Sequence, residues 1–174
     1  MIALRFLMYL IIFTSSPVVE PTPTPKTTIS ADEVKLYELI MEYRKANGLT
    51  KIHLSNSLTL VAQIHAKDLV ENKPDLEKRC NAHSWSDQGS WSSCCYTADH
   101  KQSTCMWGKP RELTSYPGDG FEIAVGSSES AFDDYIITPQ YALSAWKKSV
   151  HHDNVILNKS IWKSTNWNAI GIGI

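Results

Sequence analysis

The chain has 174 residues and a formal net charge of −1, with 20% charged and 43% hydrophobic residues. Acids and bases are interspersed, and no basic stripe or tail is present, which argues against a nucleic-acid partner. Six tryptophans are many for this length; some belong to a core, but Trp85, Trp91 and Trp107 sit in polar company and could line a groove.

The first stretch, MIALRFLMYLIIFTSS, sets Arg5 within an apolar run from Ile2 to Phe13, followed by Thr14, Ser15 and Ser16. That run is shorter than the ~20 residues of a membrane span. Residues 1–16 are therefore expected to be a secretory signal peptide, the alternative being a retained N-terminal anchor. With the peptide removed, no membrane span is expected in the mature chain. Residues 17–29, beginning PVVEPTPTPKTT, place proline at alternate positions, which forces extended backbone and reads as a linker. Residues 30–174 remain, about 145 residues, enough for one domain with its own core.

Ser30-Ala31-Asp32-Glu33 is a capping box, and Val34, Tyr37, Ile40 and Met41 continue it as a helical stripe that Asn47-Gly48 closes. A second helix is expected from about Asn56 to Glu71, with Leu58, Val61, Ala62, His65 and Leu69 on one face. His65 in that stripe reads as a satisfied core histidine. Residues 75–119 show little period and contain every cysteine: Cys80, Cys94, Cys95 and Cys105. Behind a signal peptide, an even cysteine count predicts two disulfides. Neighbouring Cys94 and Cys95 are poorly placed to bond each other. Two pairings stay open: Cys80–Cys94 with Cys95–Cys105, or Cys80–Cys95 with Cys94–Cys105. The rival is a zinc site using these cysteines with His83 or His100, although their spacing fits no strong zinc pattern.

Phe121 to Val125 reads as a strand. Thr138-Pro139 opens a helix whose expected inner stripe is Tyr141, Ala142, Ala145, Trp146 and Ser149. Residues 168–174, NAIGIGI, read as a buried strand with glycines for close backbone approach. Helices mixed with strands predict an α+β fold with helices covering a sheet. The last strand, where the chain stops, must lie at a sheet edge or belong to a fragment.

The segments AHSWSDQG, GFEIA and AWKKSVHHDNVILN, in that order, together with LTLVAQIHAKDLVEN and WNAIGIGI, resemble the CAP superfamily. That group includes cysteine-rich secretory proteins, allergens and pathogenesis-related proteins, and the bacterial members are the most similar. The resemblance implies a three-layer α/β/α sandwich, an SCP domain, secretion to the extracellular space or cell surface, and a groove in which His83 and His152 face each other. It also implies further sheet beyond Ile174, so the C-terminal strands are expected to be missing here. In the family's strand motif glutamate directly follows glycine, whereas here Phe121 follows Gly120 and Glu122 comes next. One step along a strand reverses the side chain's face. Either a one-residue gap restores the register, or Glu122 turns away and Glu112 substitutes.

Two imidazoles with a carboxylate and an open position suit zinc or another divalent metal, and metal at this pair occurs in some members of the family. His83, His152 and Glu122 (alternate Glu112) are the expected ligands. A hydrolase reading would use His83, Glu122, Ser149 and His152, with Ser149 or metal-bound water as nucleophile. Ser149 and His152 would share one helix face, but no nucleophile-elbow motif is present. The favoured reading is a non-catalytic binding domain. Trp85, Trp91, Tyr96 and Trp107 would meet an extracellular ligand, a lipid, sterol, glycan or peptide. His151 points away from His152, His53 has no evident role, and Asp99-His100 reads as a turn. Asn158-Lys-Ser is a glycosylation sequon.

Overall fold

The computed structural model of the chain describes residues 9–14, 27–129 and 136–174. The segment read as a linker falls, over residues 17–26, outside the described residues, as do residues 1–8, 15 and 16 of the segment read as a signal peptide.

Four strands form one sheet: β1 (Tyr9–Thr14), β2 (His53–Leu54), β3 (Phe121–Val125) and β4 (Ala169–Gly173), in the order β2-β4-β1-β3. β1 pairs antiparallel with both β3 and β4, while β2 and β4 are parallel. Helices α1 (Ala31–Ala46) and α5 (Pro139–Lys148) cover one face, and α2 (Asn56–Asn72) covers the other. The result is the expected α/β/α sandwich.

The alternation along β1 builds both cores. Ile11 and Phe13 join Leu36, Ile40, Trp146 and Ile172 on the α1–α5 side. Leu10 and Ile12 join Leu58, Val61, Ala62 and Trp85 on the α2 side. At about 1.5–3 kcal/mol for each fully buried large apolar side chain, these four residues contribute to both cores. β1 thus lies within the run whose composition reads as a leader. Its position also answers one expectation: β4 is not at an edge, because β2 flanks it on one side and β1 on the other.

The glycines of β4 have the anticipated purpose. A Cβ on Gly171 would stand 2.1 Å from the backbone carbon of Leu58, and one on Gly173 2.2 Å from that of Ala62. Any side chain there would force α2 off the sheet.

Local signals read correctly from composition reappear with their geometry. Ser30 and Glu33 complete the capping box, and Thr138 Oγ1 accepts from the Tyr141 amide with Pro139 in the first turn. The inner stripe of α5 differs from expectation at one end. Ala142, Leu143 and Trp146 are buried, whereas Tyr141 is exposed, because the apolar stripe continues through Leu143 rather than back to Tyr141. Residues 75–119 carry two short helices, α3 (Ser103–Trp107) and α4 (Lys109–Leu113), within otherwise irregular chain.

Candidate functional site

The site forms where α2, the cysteine-rich segment and edge strand β3 meet. α2 turns polar side chains toward that segment at helical spacing. His65 and Asp68 are both buried, at 0% and 1% exposure. Asp68 accepts from the Ser86 amide at 2.8 Å and the Ser86 hydroxyl at 2.5 Å, and Asn72 donates to the same carboxylate at 2.8 Å. The His65 Nε2 atom lies 2.8 Å from the Ser84 carbonyl oxygen. One helix face therefore grips the loop that bears His83.

The loop is also fastened to itself. Trp85 and Cys94 exchange two backbone hydrogen bonds of 2.8 and 2.9 Å, and Ser84 Oγ accepts from the Tyr96 amide at 2.9 Å. The disulfides are Cys80–Cys95 and Cys94–Cys105, with Cα separations of 5.0 and 6.0 Å, which is the second of the two open pairings. All four thiols are consumed, so the rival cysteine–zinc site does not form.

Glu122 settles the register question. Phe121, Ile123 and Val125 pack toward the α1–α5 core and Ala124 toward the α2 core, which turns Glu122 to the α2 side, where His65 and His83 stand. Its Oε1 is 2.6 Å from His83 Nδ1, and its Oε2 is 3.0 Å from His65 Nδ1. Burial alone would raise its pKa. The charge and hydrogen bond of His65, then those of His83, overrule burial and hold Glu122 down at about 2. Tyr96 packs edge-on to the His83 ring, and its phenol is pushed up by burial and by the Glu122 charge. The His83 side chain keeps 23% exposure, and its Nε2 has no hydrogen-bond partner among the described residues.

His152 comes from a different element, α6 (Val150–Ile156). Burial lowers its pKa, and the charges of His83 and His151 lower it further, so His83 and His152 feel one another. Trp146 is fully buried and donates from its indole nitrogen to the Ala124 carbonyl at 3.1 Å, tying α5 to edge strand β3. The expected helix through Ser149 and His152 is broken. Ser149 is extended, with φ −91° and ψ 114°, and stands between α5 and α6. Its 149–152 spacing is therefore not that of a continuous helix face. No side-chain hydrogen bond joins Ser149 to a histidine among the described residues.

Glu112 lies elsewhere. It is bound at 2.5 Å by the buried Lys109 ammonium and also accepts from the Ser92 amide, so it is not the acidic partner of His83. Of the four aromatic candidates, Trp85 and Tyr96 are buried at 2% and 5% exposure, while Trp91 and Trp107 are half-buried. Trp85 stacks on His65 with centroids 4.2 Å apart and planes 10° apart. Trp107 packs on Phe121, which packs in turn on Trp162. Asn158 of the sequon is committed to the fold: its Oδ1 accepts from Arg44 at 2.7 Å and its Nδ2 donates to the Thr165 carbonyl at 2.7 Å. His100 sits in a turn at φ 58° with its ring on the Tyr96 hydroxyl.

Which of these residues fit a metal follows from the donor set. Both Glu122 oxygens are engaged by ring nitrogens, leaving two imidazoles as donors. Among the described residues, no group of three or more His, Cys, Asp or Glu side chains converges in a way that could hold an ion. A metal held here would therefore have at most these two imidazoles as protein ligands among the described residues.

His65 is the buried, satisfied histidine that sequence reasoning expected, but its link to the site was missed. Its position in an apolar stripe carries no signal of the carboxylate it meets 57 residues away.

Among the described residues, no helix is long and apolar enough to cross a membrane. Comparisons with curated proteins and with solved structures return no match. A model of the cysteine-rich secretory protein family matches residues 37–164, which include α2, both disulfides, His83, Glu122 and His152. With most of its length matched, the chain belongs to the cysteine-rich secretory protein family, the CAP proteins.

Proposed function

We propose that this is a secreted CAP-domain protein that binds rather than catalyses, with His83 and His152 as a groove pair that takes a divalent metal. The observation that carries the reading is the commitment of Glu122. Because its oxygens meet the Nδ1 atoms of His65 and His83, the His83 ring is oriented with Nε2 left without a protein partner among the described residues. A carboxylate that orients a ligating imidazole from behind is a common outer partner in metal sites. His152, disfavoured as a cation by burial, supplies a neutral second imidazole. A bound ion would supply a positive centre to which an anionic or carbonyl-bearing ligand could attach.

Two disulfides support an extracellular destination, since such bonds persist in oxidising compartments. Ser149 supports the non-catalytic side: a nucleophile needs a base within hydrogen-bond reach, and this serine has none among the described residues. Trp91 and Trp107, half-buried beside the cysteine-rich segment, are the aromatic faces best placed for an organic ligand.

The test is native mass spectrometry of the disulfide-intact protein after zinc loading and desalting, beside His83→Ala and His152→Ala. One zinc per chain, lost in either variant, is expected. A folded wild-type protein that retains no zinc would remove the metal from this reading. Hydrolysis of activated esters that disappears in Ser149→Ala would overturn the non-catalytic reading.

A further inference from the structure

The donor count around His65 carries more than a core role. The ring is fully buried, lies flat against Trp85, and faces an acceptor at each nitrogen. Nε2 meets the Ser84 carbonyl at 2.8 Å and Nδ1 meets a Glu122 oxygen at 3.0 Å. A neutral imidazole has one N–H and could satisfy only one of them. The other Glu122 oxygen is held by His83, so His83 is oriented by a carboxylate that His65 holds in turn.

We propose that His65 is the positioning residue of the groove: a doubly donating, buried imidazole that fixes Glu122 and the Ser84 carbonyl together, and through them sets the His83 ring. Two routes run from it to His83, one through the carboxylate to Nδ1 and one through the backbone of the adjacent residue. Trp85 stacks on its ring, and the Lys109 ammonium lies over the Trp85 ring at 5.2 Å from its centre. An apolar replacement would leave the Ser84 carbonyl and one Glu122 oxygen without this donor in a buried place, and His83 would lose its fixed orientation.

The zinc arm of the test rests on the metal reading above, while the ring-proton arm stands without it. Wild type, His65→Gln and His65→Leu are compared with both disulfides intact and folding confirmed by circular dichroism. In the wild type, long-range ¹H–¹⁵N spectra should show two ring N–H groups on His65 and one slowly exchanging Nδ1–H on His83. In His65→Leu the His83 Nδ1–H should exchange fast, and zinc affinity should fall about tenfold, the lower end of what loss of an outer partner costs. His65→Gln retains an N–H donor and should recover much of both signals. A folded His65→Leu with an unchanged His83 resonance overturns the assignment, whatever the zinc result. Should His65→Leu fail to fold, a single ring N–H on wild-type His65 would overturn it equally. Absence of zinc binding in the wild type with the ring protons as expected sinks the metal reading and leaves His65 as the residue that sets His83.

Discussion

The two walls of the proposed groove, the cysteine-rich loop and α6, present the same side chain and hold it in opposite ways. His83 stands on a loop gripped by Asp68 and His65, clamped by Cys80–Cys95 and braced by Glu122 at 2.6 Å. His152 stands on a short helix that restarts after a break at Ser149, with no side-chain cap and no hydrogen bond to its ring among the described residues. The first ring is oriented by a buried charge network. The second has no bonded partner of its own among the described residues; its helix is held by Val155 and Ile156 in the core and by hydrogen bonds from Tyr43 to Asp153, from Arg44 to the Ile156 carbonyl and from Trp167 to the Val155 carbonyl. A ligand that joins both walls would find one donor preset and the other free to adjust. That division keeps much of the ordering cost on one side of the site.

The comparison breaks first at Glu122. Glu122→Ala removes one partner of a buried network and leaves two ring nitrogens unpaired, which should cost about 3–5 kcal/mol in denaturant unfolding. A loss under about 1 kcal/mol would mean that the carboxylate does not brace the wall. Next comes the covalent clamp. Cys80→Ser with Cys95→Ser opens a loop with a sequence separation of 15, and the expected loss is about 3 kcal/mol. The same pair of changes should weaken zinc retention through His83 and leave the position of α6 unchanged by hydrogen exchange.

Acid separates the walls by pH. Glu122, held at about 2 against an ordinary 4.5, stabilises the fold fully above pH 4.5 and loses that contribution as pH falls toward 2. His152 has a lowered pKa, so its stabilising share is present above its ordinary 6.5 and fades as pH drops below that value. Unfolding measured from pH 8 to 2 should show a small early decline, absent in His152→Ala, and a larger late one, absent in Glu122→Ala. The smallest effect belongs to the loose wall: His152→Ala should change neutral-pH stability by only about 0.5 kcal/mol while abolishing zinc retention. A cost comparable to that of Glu122→Ala would erase the contrast.

How much of this was legible in the sequence varies with the range of the interaction. Ser30 with Glu33, and Thr138 with Pro139, announce their helices because cap and amide are three residues apart. Gly171 and Gly173 announced close backbone approach, though only the fold names Leu58 and Ala62 as what approaches. The groove pair and its glutamate were named from the resemblance, and the choice between Glu122 and Glu112 needed the strand's facing. His65 was read as a satisfied core histidine. It is satisfied, but by Glu122 and the Ser84 carbonyl, contacts set by tertiary packing and invisible to helical period. Ser149 misled because a three-residue spacing assumes an unbroken helix, and the backbone there is extended. Trp85 and Tyr96 sit among polar neighbours in sequence and are buried all the same, since the disulfide-bonded loop folds over them. The run around Tyr9–Thr14 shows the limit of composition: apolar residues in sequence suit a leader and a strand equally, and only the structure shows the pairing with β3 and β4.

The most direct measurement is the imidazole ¹H–¹⁵N spectrum of the wild-type protein at neutral pH without metal. A preset wall facing an adjustable one requires His83 in a single tautomer, protonated at Nδ1 and slow to exchange, with His152 averaging between tautomers and exchanging fast. Two histidines with the same averaged signature would contradict it, and would return Glu122 to the role of a buried core charge with no hold on the groove.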